Sequence, residues 1–134
     1  MYRSLASGEA RVDAVAAQEM ISLYRRNNGL GALTLDDGLQ RVAEAQARDM
    51  ARSGDLSARG ALSGRLAAAG VKASAAEENV SAGYHTLAEA FSGWRDSKPH
   101  NARMLDRRVT RMGLATAYAP GAKYKVYWAL VLAD

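Results

Sequence analysis

The sequence contains no cysteine. Disulfides, thiolate metal sites and cysteine nucleophiles are therefore excluded. Histidine is nearly as scarce: the only imidazoles in 134 residues are His85 and His100. A serine triad would need one of them, and no Gly-x-Ser-x-Gly elbow is present. There is no Gly-x-Gly-x-x-Gly phosphate loop and no His-Glu-x-x-His metal motif. Aromatic residues make up 7% of the chain, and none interleaves with the basic cluster Arg103, Arg107, Arg108 and Arg111. Single-stranded nucleic acid is held by stacked aromatics set among cations, so that cluster reads as a solvated face and no nucleic-acid partner is expected. No apolar run approaches the roughly 20 residues of a membrane helix. The longest, Tyr124 to Ala133, is about half that and includes Lys125, so no transmembrane segment is expected.

Apolar residues at 49% and charged residues at 24% match ordinary globular composition. A chain of this length forms one domain and buries roughly two-thirds of its unfolded surface, enough for a core without staples. There are 18 basic and 14 acidic residues, a net charge of +4, which suits an anionic partner or surface. Residues 1–10 are small and polar, without the charged start and apolar core of a signal peptide. They are expected to be a flexible N-terminal segment, with a single domain over residues 11–134. No internal repeat or linker is visible.

Apolar spacing predicts a helix over Arg11 to Asn27, stopped by Asn28-Gly29. Leu30 to Leu35 reads as a connector. Asp36 and Asp37 are capping candidates for a second helix, whose buried stripe is Leu39, Val42, Ala43, Gln46, Ala47 and Met50. Ser53-Gly54 ends it, and a third short helix runs from Ala61 to Ala69. Ala75 to Gly83 reads as a loop leading into a brief strand. Thr86 with Glu89 forms a capping box ahead of Leu87, Ala90, Phe91 and Trp94, and Pro99 opens a further turn to Leu105. Thr110–Tyr118 and Lys123–Ala133 alternate in polarity and form an antiparallel hairpin turning at Pro120-Gly121. Leu39, Val42, Met50, Phe91, Trp94, Leu114, Val126, Trp128 and Leu130 are the expected core. This order predicts an α+β fold: a three-layer α-β-α sandwich around a small, mainly antiparallel sheet.

Two stretches hold the polar chemistry. Glu77-Glu78-Asn79 places adjacent carboxylates among small residues, and in a strand one of them points inward. A buried carboxylate needs a donor or a counter-charge, so a structural tie to backbone amides competes with a functional role. The second stretch is Trp94-Arg95-Asp96-Ser97-Lys98-Pro99-His100. Trp94 belongs to the core or to a groove wall, Ser97 to a helix start, and His100 to a position that can face a cleft. A lone histidine is more often a hydrogen-bonded structural residue than a ligand. His85 reads as an exposed loop residue.

Several pieces, taken in chain order, resemble the CAP superfamily: cysteine-rich secretory proteins, antigen 5 and pathogenesis-related 1 proteins. They are Leu23 to Leu33, the Leu39–Met50 helix, Glu78-Asn79-Val80-Ser81-Ala82-Gly83, Trp94 to His100, Arg111 to Ala115, and Tyr127 to Val131. The likeness is strongest to the short, cysteine-free bacterial branch. It implies an α-β-α sandwich, an extracellular or periplasmic location, and a groove lined by Glu77, Glu78, Asn79, Trp94, Ser97, His100 and Tyr127. In animal and plant members two histidines and two glutamates of this groove hold a divalent metal such as zinc. Here those positions fall on Ala58, Glu78, Ser97 and Tyr127, so only Glu78 is retained. The bacterial pattern keeps Glu78 and His100, while Glu77 replaces its glycine. Two ligands fall short of the three or four that zinc takes, so the resemblance implies weak zinc binding or none.

The leading expectation is a non-catalytic extracytoplasmic module that binds a small hydrophobic, glycan or peptide ligand. One alternative is a hydrolase or acid/base enzyme using Glu78 and His100. Another is an interaction module that docks on an anionic envelope surface, with salt-sensitive binding.

Overall fold

Local signals set the helices. A computed structural model describes residues 10–56, 60–119 and 125–134. Helix α1 spans Ala10–Asn27, and Gly29 follows it in the left-handed region at φ 78°. Helix α2 spans Asp37–Ser53; the Asp36 carboxylate accepts from the Leu39 amide at 3.0 Å, and Gly54 ends the helix at φ 73°. Both caps fall where the sequence places them. Helix α3 is Leu62–Ala68. Helix α4 is Leu87–Arg95, opened by the reciprocal Thr86–Glu89 capping box, and α5 is Lys98–Met104 with Pro99 in its first turn.

The strands are β1 (Thr34–Leu35), β2 (Ala76–Ala82), β3 (Arg111–Ala119) and β4 (Lys125–Ala133). They form one sheet in the order β1-β3-β4-β2. Only β1 with β3 is parallel; β3–β4 and β4–β2 are antiparallel, with Thr116 opposite Trp128 and Ala82 opposite Tyr127. The hairpin is therefore present, while its turn at Pro120-Gly121, and Tyr124, lie outside the described residues.

Alternation along β4 divides the core into two layers. Val126, Trp128, Leu130 and Leu132 face α1, α4 and α5, packing with Ile21, Trp94, Met104 and Leu114. Tyr127, Ala129, Val131 and Ala133 face α2 and α3, packing with Leu39, Val42, Ala43, Met50 and Leu66. Helices thus cover both faces, as the three-layer sandwich requires. Helix α2 lies almost on the backbone of β3: a Cβ at Gly113 would stand 2.5 Å from the Gln40 nitrogen and the Leu39 carbonyl carbon.

Three expectations change. Ala75–Gly83 is not a loop with a brief strand but holds the seven-residue strand β2, because both of its acidic side chains find partners on the flanking layers. The connector Leu30–Leu35 contains β1, and two residues are too few to show a period. Phe91 is half-buried rather than core; it meets Tyr24 edge to face at 5.4 Å and lies under the Arg95 guanidinium. The remaining expected core residues are buried.

Candidate functional site

Strand β2 organises the candidate residues. Its even-numbered side chains, Ala76, Glu78, Val80 and Ala82, face the α2–α3 layer; Ala76, Val80 and Ala82 pack there. Glu77, Asn79 and Ser81 alternate to the α4–α5 layer.

On the first face, the Glu78 carboxylate accepts two bonds from the Arg65 guanidinium, at 2.7 and 3.1 Å. The pair is largely removed from water, with side-chain exposures of 15% for Arg65 and 12% for Glu78. Such a two-pronged pair is strong and directional. Tyr127 is buried on the same face, and its hydroxyl would stand 3.9 Å from a Cβ placed on Gly54. Gln46 of α2 is 1% exposed, and neither atom of its amide has a hydrogen-bond partner among the described residues. The sequence places Gln46 in the buried stripe of α2 but assigns it no chemistry. Its polarity amid alanines and leucines is the signal that singles it out.

On the second face, the Asn79 amide is fully buried and donates to the His100 carbonyl at 3.0 Å. Arg103 reaches the Asn79 carbonyl oxygen at 3.4 Å. This amide ties the first turn of α5 to β2. The His100 ring bonds the Ser97 hydroxyl through Nδ1 at 2.7 Å. Burial, and secondarily the Arg103 charge, push His100 below the ordinary imidazole range. Glu77 meets Asp106. Burial first, then the hydrogen bond and charge of Asp106, raise the Glu77 carboxyl to about 7. Asp106 is held far below the usual carboxylate range, chiefly by its hydrogen bond from Arg108 and next by that from Glu77. Trp94 is 1% exposed, so it is a core residue rather than a groove wall, and its Nε1 has no partner among the described residues.

The structure therefore separates residues that the sequence groups in one groove. Glu78 and Tyr127 share one face of the sheet, whereas Glu77, Asn79 and the start of α5 with Ser97 and His100 lie over the other. The physical reason is the two-residue period of a strand: residues 78 and 79 cannot face the same layer. His85 is exposed, as expected. Ala58 lies outside the described residues. A shallow recess of about 240 Å³, lined by Arg48, Ala51, Arg52, Ala117 and Tyr118, includes none of the candidates.

The family's divalent metal does not fit this set. Both oxygens of Glu78 accept from Arg65, and among the described residues no three His, Asp or Glu side chains converge. No helix among the described residues is long and apolar enough to cross a membrane.

A helix-covered antiparallel sheet with a glutamate-asparagine strand at its edge defines an α-β-α sandwich of the secretory-protein type. The chain belongs to the CAP family of cysteine-rich secretory proteins, whose family model matches residues 18–132. Its fold is similar to that of an extracellular SCP-domain protein from Bacillus anthracis (TM-score 0.81, 21% identity, covering 93% of this chain and 41% of that one). It is similar also to a cysteine-rich secretory protein from Staphylococcus aureus (TM-score 0.78, 20% identity, 96% of this chain and 40% of that one). An outer surface protein from Borrelia burgdorferi gives a TM-score of 0.80 at 16% identity, covering 93% of this chain and 94% of that one. The chain thus spans about two-fifths of the length of the first two. At these identities the likeness is one of fold. Among the curated proteins the chain has no significant match.

Proposed function

We propose that this chain is a non-catalytic, extracytoplasmic ligand-binding module with a degenerate metal site. The observation that carries the reading is the engagement of Glu78 by Arg65. A carboxylate bound on both oxygens by a guanidinium is a poor base and a poor metal ligand. The other candidate, His100, is bonded to Ser97 and has no carboxylate partner among the described residues. The extracytoplasmic location rests on the family and on neighbours described as extracellular and outer surface proteins. The ligand is a small hydrophobic molecule, a glycan or a peptide.

The test pairs two measurements. Zinc titrated by calorimetry should bind weakly or not at all. Ester, peptide and phospholipid hydrolysis should show no activity that depends on Glu78. Hydrolysis abolished in Glu78→Gln, with the fold intact, would overturn the reading in favour of an acid/base enzyme.

A further inference from the structure

The two edges of the sheet are finished differently. Beyond the short β1, the outer edge of β3 is closed by a side chain. The Gln40 amide donates to the Leu114 carbonyl at 2.6 Å and accepts from the Leu114 amide at 2.9 Å, the pairing a neighbouring strand would make. Among the described residues, strand β2, the opposite edge, has no such closure. The backbone bonds Gly83 N–H to Val126 C=O and Asp134 N–H to Ala75 C=O fix the phase of the β2–β4 ladder. Odd-numbered residues point their backbone groups at β4, and the N–H and C=O groups of Ala76, Glu78, Val80 and Ala82 point away from the sheet. Among the described residues nothing hydrogen-bonds any of them. Helices cover both faces of the strand, yet Ala76, Val80 and Ala82 remain only half-buried.

We infer that the outer edge of β2 is a docking site for an extended peptide, which adds as a fifth strand through the backbone groups of Ala76, Glu78, Val80 and Ala82. A seven-residue row of alternating donors and acceptors, about 20 Å long, is complementary to an extended polypeptide backbone. An unpaired edge of this length is ordinarily shielded by charge, proline or a bulge. Here the strand has no proline, Glu78 is neutralised by Arg65, and Glu77 is held by Asp106. The usual guards are therefore tied to the flanking layers rather than turned to the edge. A second copy of the chain is the less suitable occupant. A second copy would bring its own α3 and α5, which flank β2 on its two faces, against those of the first copy. A free extended peptide carries no such layers. This inference stands apart from the function proposed above, because it needs only the backbone of β2.

The test uses the whole chain and a fluorescein-labelled acetyl-Thr-Val-Thr-Val-Thr-Val-Lys amide. Val80→Pro removes one outward N–H and no ladder bond, a substitution edge strands accept. The peptide should bind, and Val80→Pro should weaken it about tenfold or more without loss of the fold. A peptide N-methylated at alternate residues provides the same comparison on the wild-type chain, independently of how the variant folds, and should bind equally poorly. Amide hydrogen exchange at Glu78, Val80 and Ala82 should be fast in the free chain and slowed by the peptide. No binding at about 1 mM peptide, equal binding of the N-methylated peptide, or protection of those amides in the free monomer would each overturn the inference. So would dimerisation that Val80→Pro abolishes, since it assigns the edge to a second copy. Each of these failures leaves the proposed function, tested by hydrolysis and zinc titration, untouched.

Discussion

Glu77 and Asp106 face each other as a carboxyl and a carboxylate joined by a hydrogen bond, bridging β2 and the segment between α5 and β3. Below about pH 7 the proton is held on Glu77, because Arg108 engages Asp106 through its backbone amide, Nε and Nη2 and keeps the charge there. The other charges around the pair are Arg103 from α5 and, through Arg108, Asp134 after β4. The latch requires the proton, and this makes stability depend on pH. The folded Glu77 titrates at about 7 against an ordinary 4.5. Its contribution is complete below about 4.5 and is lost as pH rises to about 7. Asp106, held low, acts in the opposite sense: its contribution is present above its ordinary value of 3.8 and is lost as pH falls below it. The melting temperature should decline between pH 5 and 7.5, and Glu77→Gln should flatten that decline. A wild-type profile with no slope in this window would show that the pair does not share a proton.

Gly113 tests the contact between α2 and β3. The atoms that a Cβ would meet at 2.5 Å belong to the backbone of Leu39 and Gln40, and backbone cannot rotate aside. Gly113→Ala should therefore cost about 3 kcal/mol, the upper range of overpacking, measured by urea denaturation. Gly64→Ala, where a Cβ meets nothing within 4 Å, is the control and should leave stability unchanged or slightly raised, since alanine favours helix.

Much of the fold was legible because its signals are local or periodic. Asp36, Gly54 and the Thr86–Glu89 box mark helix ends through single turns of chain, and β4 shows its two faces in its own alternation. The site was less legible. Glu77-Glu78-Asn79 was visible as an unusual acidic run, but its meaning depends on Arg65, Asp106 and Arg103, which the chain brings in from elsewhere. Motif order groups Glu78 with His100 in one site. The strand period, which sends residues 78 and 79 to different layers, governs the outcome instead. Strand β2 itself was hidden because acidic side chains disfavour strands until their partners are in place.

The Arg65–Glu78 pair can be weighed by removing each partner in turn. Losing one member of a fully buried pair costs roughly 3–5 kcal/mol. The partial exposure of this pair lowers that to about 2 kcal/mol for either Arg65→Met or Glu78→Gln. The double variant should recover part of the loss, because neither charge is then left alone. Chemical denaturation of the three variants forms the cycle. Additive losses would mean that the two side chains act independently.

Arg25 is buried at 2% exposure and donates to four backbone carbonyls: Gly31 at 2.7 Å, Met104 at 2.9 Å, Asp106 at 2.8 Å and Val109 at 3.1 Å. Burial lowers its pKa and the Asp106 charge opposes this, but a guanidinium remains protonated across the working range. One side chain thus ties the end of α1 to the turn before β1 and to the whole segment from α5 to β3, the segment that presents Asp106 to Glu77. Lysine has the charge but not the planar fork, so it cannot reach all four acceptors. Arg25→Lys should cost about 2 kcal/mol, and Arg25→Met about 3 or more, because carbonyls left buried without donors carry a desolvation penalty. The effect should also be local: amide exchange in residues 104–109 should accelerate more than exchange in α2. Since that segment holds the Asp106 latch, Arg25→Lys should reduce the pH dependence of melting as well. Uniform acceleration across the chain, with the pH profile unaltered, would show that Arg25 supports the core generally and does not position Asp106.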